Sequence, residues 1–213
     1  MEAAAWLVAG LGNPGDEYAD NRHNVGFMVL DTLASRWGVP VSAFRSKFGS
    51  LLAQADCKLG GDRYRVHLQK PMQYMNVSGG PVQGAMAFFR IPPANLIVIH
   101  DEIDLPFQRL RVKIGGGHGG HNGLRSISQA IGPDYLRLRV GVGRPGGSNS
   151  GADPAKQGKV TGHVLGPFSR AEQAELQDYL ARAADAVEAI LEHGATFAMN
   201  RYNKDLPAAA SKE

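Results

Sequence analysis

The hydrophobic pattern of this 213-residue chain switches repeatedly between two periods. Trp6-Leu-Val-Ala-Gly-Leu11 and Leu96-Ile-Val-Ile-His100 are nearly unbroken apolar runs and predict buried strands. After the first, Val25, Phe27, Leu30, Leu33, Ala34 and Trp37 recur at steps of three and four. They predict a helix that Asn24 can cap and Gly38 can end. Phe48 to Cys57 and Arg63 to Gln69 read as two strands around Gly60-Gly61, a hairpin signal. A helix follows near Gly79 to Arg90, with Ser78 as N-cap, Pro81 in its first turn and Pro92-Pro93 closing it. Strands at 109–114 and at Leu136 to Val142 bracket a glycine-rich loop and a helix from Asn122 to Ile131. Finally, Ser169-Arg-Ala-Glu172 is a capping box that opens a long helix to about His193, stopped by Gly194. Its stripe of Leu176, Leu180, Ala183, Val187 and Ile190 predicts core packing.

Strands alternating with helices imply an α/β layer fold, and no Gly/Pro/Ser-rich linker divides the chain before residue 145, so a single domain is expected. Sites in open α/β sheets form at the carboxyl ends of strands. Four polar positions obey that rule: Asn13 follows the first strand, Asn76 the hairpin, Asp101 ends the 96–100 strand, and His121-Asn122 lies in the glycine-rich loop.

Composition removes several classes of function. No run of about 18 apolar residues is present to span a membrane, and Met-Glu-Ala-Ala-Ala-Trp lacks the basic start and apolar stretch of a secretory signal, so the expected location is cytoplasmic. Cys57 is the only cysteine and reads as a buried small residue, which rules out an internal disulfide and disfavours thiol chemistry. The net charge of +3 is unevenly spread, with 18 Lys/Arg against 12 Asp/Glu up to residue 168 and 5 against 8 beyond it. Between Phe107 and Pro145 stand seven basic residues and one acid, Asp134, a bias that suits a polyanionic partner. Arg109, Arg111 and Lys113 alternate with apolar residues, as do Arg137 and Arg139, so each set occupies one strand face. That pattern fits either a solvated face or a surface that tracks phosphates.

His23 is the candidate base. A ring at a helix N-terminus feels the positive end of the helix dipole, which favours the neutral, proton-accepting form, although simple capping would also account for it. Asn13, Asn76 and Asn122 each offer a carbonyl acceptor and an amide donor. Converging on one cleft, they could bind a peptide backbone whatever its side chains; singly, each is an ordinary turn residue. Gly10-Leu-Gly12-Asn-Pro-Gly15 matches a dinucleotide fingerprint, but Pro14 removes a donor where pyrophosphate would sit and the helix pattern begins late. His118-Gly-Gly-His121 lacks a neighbouring acid or cysteine in sequence, so no metal is expected there. Ser78 is not in a nucleophile elbow, and with no covalent nucleophile a hydrolase built on these residues must activate water directly.

Five ordered blocks resemble the bacterial-type peptidyl-tRNA hydrolase family: Leu11 to Gly15, Tyr18 to Asp31 around Arg22-His-Asn24, Met75-Asn76 with Ser78-Gly79, His100 to Pro106, and Gly115 to Arg125. The likeness runs from about residue 6 to 204. It implies a monomeric single-domain enzyme with a twisted mixed β-sheet flanked by helices on both faces, over residues 1–204, with 205–213 a flexible tail. It implies cleavage of the ester between a peptide and the 3′ ribose of tRNA, without cofactor or metal. By resemblance His23 activates water and Asp101 orients it. Asn13, Asn76 and Asn122 hold the peptide and its ester carbonyl, Tyr18 and Met75 line the cleft, and Lys113 and Arg139 meet the tRNA 5′ phosphate. A catalytically inactive RNA-binding module of the same fold is the alternative. The chain departs from the family at Phe107-Gln108, where a glycine turn is usual, and in a longer Gly146 to Lys159 segment.

Overall fold

A computed structural model describes residues 5–144 and 160–204. The segments 146–159 and 205–213, read above as a long loop and a flexible tail, lie outside the described residues. The centre is a seven-stranded sheet made of β1 (Trp6–Gly10), β2 (Arg45–Lys47), β3 (Ser50–Leu59), β4 (Asp62–Pro71), β5 (Leu96–Glu102), β6 (Leu110–Ile114) and β7 (Leu136–Gly141), in the order β2-β3-β4-β1-β5-β7-β6. The four central strands, β4, β1, β5 and β7, run parallel, and the strands outside them pair antiparallel. The sheet is therefore mixed. Helices cover both faces of β1 and β5, which is why these two runs read as nearly continuously apolar, whereas β7 alternates Leu136, Leu138 and Val140 with arginines.

On one face α1 (Val25–Arg36) and the 24-residue α4 (Arg170–His193) pack on Val8, Ile97, Ile99, Leu138 and Val140. On the other, α2 (Gly79–Phe89) and α3 (Asn122–Ile131) close over Leu7, Ala9, Leu96 and Val98. The capping box at Ser169 forms as its spacing predicts, with Glu172 N–H donating to Ser169 Oγ and Ser169 N–H to Glu172 Oε2. Among the described residues no helix is long and apolar enough to cross a membrane.

Several local expectations fail for identifiable reasons. Asn24 does not cap α1; its amide holds the backbone of Asn13 instead. Ser78 makes no cap bond, since its hydroxyl donates to the Met75 carbonyl. The three-residue β2 and the short α5 (Ala195–Tyr202) carry too little periodic pattern to be read from sequence. Just beyond α5, the Asn203 side chain accepts from Val112 N–H and donates to Val112 C=O, occupying the otherwise open edge of β6. Gln108 adopts the left-handed φ of 68° that a glycine turn would provide. Next to it, Phe107 packs its ring against Phe168 and Tyr179.

The glycines of the dinucleotide-like motif have a packing purpose. At Gly10 a Cβ would lie 2.3 Å from the Gly26 carbonyl oxygen, and at Gly26 one would lie 2.4 Å from Leu11 N and 2.5 Å from Ile99 O. Helix α1 thus crosses β1 and β5 at backbone contact, which fixes where its first turn begins. Gly26→Ala should cost about 3 kcal/mol, the upper end of ordinary overpacking. Chemical denaturation of the purified variant would measure this, and a loss below about 1 kcal/mol would show that the helix can shift.

Candidate active site

Three segments meet at the carboxyl end of β5. The first is a single 3-10 turn, Arg22–Asn24, that precedes α1. Its position is fixed from outside by Arg22, whose N–H donates to Gly166 O and whose guanidinium donates to Pro167 O at 2.5 Å and to Glu172 Oε2 at 2.6 Å. The second is the last turn of strand, where Asp101 is 3% exposed. The third is the start of α3, where His121 is the N-cap.

These segments bring two imidazoles to one carboxylate oxygen. His23 Nδ1 lies 2.8 Å from Asp101 Oδ1, and His121 Nε2 lies 2.9 Å from the same atom. The remaining nitrogen of His121, Nδ1, accepts the N–H groups of Gly123 and Leu124 at 3.1 and 3.3 Å. An acceptor at Nδ1 places the His121 proton on Nε2, from which it is donated to Asp101. By the same logic the neutral His23 ring donates from Nδ1, and its Nε2 lone pair is left to accept a proton. That is the arrangement a general base requires.

The electrostatics follow from these contacts. Burial pushes the Asp101 carboxyl up, but His23 and His121 outweigh it and hold the group well below the usual carboxylate range. Burial likewise lowers the His23 pKa, and the ionised Asp101 reverses this to leave it above 6.5. The sequence expectation that a helix dipole keeps His23 neutral is thereby corrected: a full charge at hydrogen-bond distance outweighs a partial one. His100 donates from Nδ1 to the Asp101 carbonyl at 2.7 Å, and burial, aided by His121, lowers its pKa to about 3. It is a buried prop beside His121 that stays neutral at physiological pH.

His23, Asp101 and His121 also form a set of the kind that can ligate a metal. The sequence argument against metal, that His121 has no acid nearby, does not survive, because Asp101 is beside it. The hydrogen bonds give a better argument. A metal on His121 Nε2 would require a proton on Nδ1, where two backbone N–H groups already point.

Around this cluster the polar residues take definite roles. Asn13 is 8% exposed and its Oδ1 accepts Met75 N–H at 2.9 Å, so only its Nδ2 donor is uncommitted among the described residues. Met75 is buried against Gly123, where a Cβ would lie 2.6 Å from Met75 Sδ and 3.1 Å from His121 Cε1. That contact brings the exposed Asn76 and Asn122, each next in the chain to one partner, onto neighbouring segments. Tyr18 is half-buried at the end of the short turn Asp16–Tyr18. Cys57 is buried with its thiol pushed up to about 11, which removes it as a nucleophile.

The basic strands divide. Arg111, Lys113, Arg137 and Arg139 share one sheet face through the pairs Arg111↔Arg139 and Lys113↔Arg137. Arg137 is 1% exposed and donates to the carbonyls of Gly116 and Gly117, so it staples the glycine-rich loop and is not available to a phosphate, contrary to the reading of both strands as one contact surface. Arg111 is exposed, Lys113 is half-buried without an acidic partner among the described residues, and Arg139 pairs with Glu102. Sequence reasoning gave no role to Arg22 or Glu102, took Arg137 for a surface residue, and placed His121 near the site without seeing that it caps α3 and holds Asp101.

Comparison with known proteins adds independent support. A family model described as peptidyl-tRNA hydrolase matches residues 7–210. A peptidyl-tRNA hydrolase of Paenarthrobacter aurescens is 50% identical over 199 residues, covering 93% of this chain and 96% of its own length. One from Streptomyces coelicolor is 47% identical over 200 residues, covering 94% and 96%. The crystal structure of peptidyl-tRNA hydrolase from Acinetobacter baumannii superposes with a TM-score of 0.83 at 36% identity, covering 98% of this chain and 100% of that one.

The site predicts the direction of a titration. With Asp101 ionised the His23 pKa lies above 6.5; in Asp101→Asn burial acts alone and the value should fall below 6.5. NMR titration of the His23 ring in both proteins would read this directly, and an unchanged value would mean that the pair does not form.

Proposed function

The chain belongs to the peptidyl-tRNA hydrolase family and hydrolyses peptidyl-tRNA, and we propose that His23 does so by activating water with Asp101 as its partner. The observation that carries this mechanism is the 2.8 Å contact of His23 Nδ1 with a buried carboxylate, which leaves Nε2 as the accepting nitrogen. A water donating to Nε2 attacks the ester carbonyl carbon and its proton passes to His23. Asp101 stabilises the imidazolium that forms. As the tetrahedral intermediate collapses, the bond to the ribose 3′ oxygen breaks and Nε2 returns the proton to that oxygen. The products are free tRNA and a peptide carboxylic acid, which releases its remaining proton to solvent to become the carboxylate.

Asn13 Nδ2, with the side-chain amides of Asn76 and Asn122, supplies donors to the ester carbonyl and the adjacent peptide group. Tyr18 and Met75 line that cleft. General-base assistance contributes roughly 10²- to 10⁴-fold, and one well-placed oxyanion donor roughly 10²- to 10³-fold. An ester needs little more, so neither metal nor cofactor enters the mechanism. Lys113 and Arg139, on one face of β6 and β7 beside the cleft, receive the tRNA 5′ phosphate. The enzyme acts as a monomer in the cytoplasm, where peptidyl-tRNA is released. An inactive RNA-binding module is not favoured, since the base and its carboxylate are both intact.

Two measurements test the assignments. His23→Ala should lower turnover of an N-acyl-aminoacyl-tRNA by roughly 10²- to 10⁴-fold while leaving its binding within about twofold; turnover near that of the unmodified enzyme would refute the base. Lys113→Ala with Arg139→Ala should raise KM for tRNA substrates and flatten its salt dependence by about one to two in log–log slope. The loss should be far smaller on a short N-acyl ester. Equal losses on both substrates would remove the phosphate contact.

A further inference from the structure

The residue after Asp101 has no role in the mechanism above, yet both of its carboxylate oxygens are engaged. Glu102 Oε2 accepts both Nε and Nη2 of Arg139 at 2.9 Å, and its Oε1 accepts the N–H of Asp104 at 3.1 Å. The pair is mostly shielded, with side-chain exposures of 15% for Glu102 and 24% for Arg139. Bonding through one edge of the guanidinium leaves Nη1 pointing away from Glu102 and free of it. Lys113 sits diagonally across the β6–β7 pairing from Arg139, about 7–8 Å away along the sheet. Consecutive strand residues point to opposite faces. The last two positions of β5 therefore act in two places: Asp101 sets the histidines and Glu102 sets Arg139.

We propose that Glu102 is a positioning residue for the 5′-phosphate contact: it locks Arg139 so that its outer guanidinium edge meets the phosphate at a fixed distance from the ester. This rests on the reading of Arg139 given above. A long arginine free to sample its rotamers loses entropy on binding, and a prior ion pair removes that cost. Because Asp101 and Glu102 are adjacent in one strand, the span between the hydrolysed 3′ ester and the 5′ phosphate is measured by a rigid element rather than by a loop. A substrate lacking the phosphate, or presenting it elsewhere, does not engage both ends.

The test compares one N-acyl-aminoacyl-tRNA carrying either a 5′ phosphate or a 5′ hydroxyl, and reads the ratio of the two kcat/KM values. A purely structural defect lowers both values together and leaves the ratio unmoved. Glu102→Ala should lower the ratio by a factor of about five, the scale of ordering one partly exposed ion pair. Glu102→Gln, which keeps the acceptor, should recover part of it. The double variant Glu102→Ala with Arg139→Ala should have the same ratio as Arg139→Ala alone. A ratio that falls in Arg139→Ala but not in Glu102→Ala would overturn the proposal, as would a rise in Glu102→Ala, the signature of a carboxylate that merely competes with phosphate. A ratio of one in the unmodified enzyme, unchanged in Arg139→Ala, would remove the phosphate reading itself and this proposal with it.

Discussion

One carboxylate oxygen organises this molecule. A buried anion is tolerated only where donors reach it, and Asp101 Oδ1 has two, His23 and His121, within 2.9 Å. Each donor comes from a different segment, one ahead of α1 and the other at the start of α3. The oxygen can be satisfied only if α1, β5 and α3 keep their relative positions. Much of the surrounding structure serves that end. Gly10 and Gly26 let α1 touch the sheet at the depth that brings His23 to Asp101. The backbone of Asn13 is pinned by Asn24, and Asn13 in turn pins Met75, so three chain segments share one hydrogen-bond relay.

Two interior arginines complete the scaffold by an unusual means. Arg22 and Arg137 are both buried and both donate to backbone carbonyls, Arg22 with Glu172 as an additional partner and Arg137 with the carbonyls of Gly116, Gly117 and Pro133 as acceptors. Carbonyl oxygens carry only partial charge, so such burial offsets less of the desolvation cost than a carboxylate would. The gain is geometric. A planar fork holding two successive carbonyls fixes a loop that has no secondary structure, and Gly116-Gly117 is such a loop. Loops that position His23 and His121 are therefore anchored by cations rather than by apolar packing, which their glycine-rich and polar composition could not supply.

The sequence made the framework legible wherever periodicity was long. Strands β1, β5 and β7, helices α1 to α4 and the capping box at Ser169 all announce themselves through apolar spacing and end signals. What stayed hidden depended on contacts between distant residues. That Asn24 and Ser78 would abandon capping for the Asn13 and Met75 backbones cannot be read from local preference. Arg137 and Arg139 look alike as alternating strand residues, yet one is sealed under the glycine loop and the other is partly open. His121 was set aside because no acid adjoins it in sequence; the acid, Asp101, lies twenty residues away and arrives through the parallel pairing of β5 with β7. Charge state was the least legible property, since His23 answers to Asp101 and not to its own helix.

The commitments of the amides limit what the proposed mechanism can do with them. Asn13 has spent its oxygen on Met75 N–H and keeps only donor hydrogens, so it favours a substrate oxygen over a substrate N–H. A neutral donor also stabilises developing negative charge without binding the ground-state carbonyl as tightly as a cation would, which is the differential that accelerates the chemical step. Cationic groups lie instead on the β6–β7 face, with Arg139 restrained by Glu102. Separation of the two chemistries has a physical basis: a free arginine beside His23 would depress the pKa that Asp101 raises, weakening the base it was meant to assist.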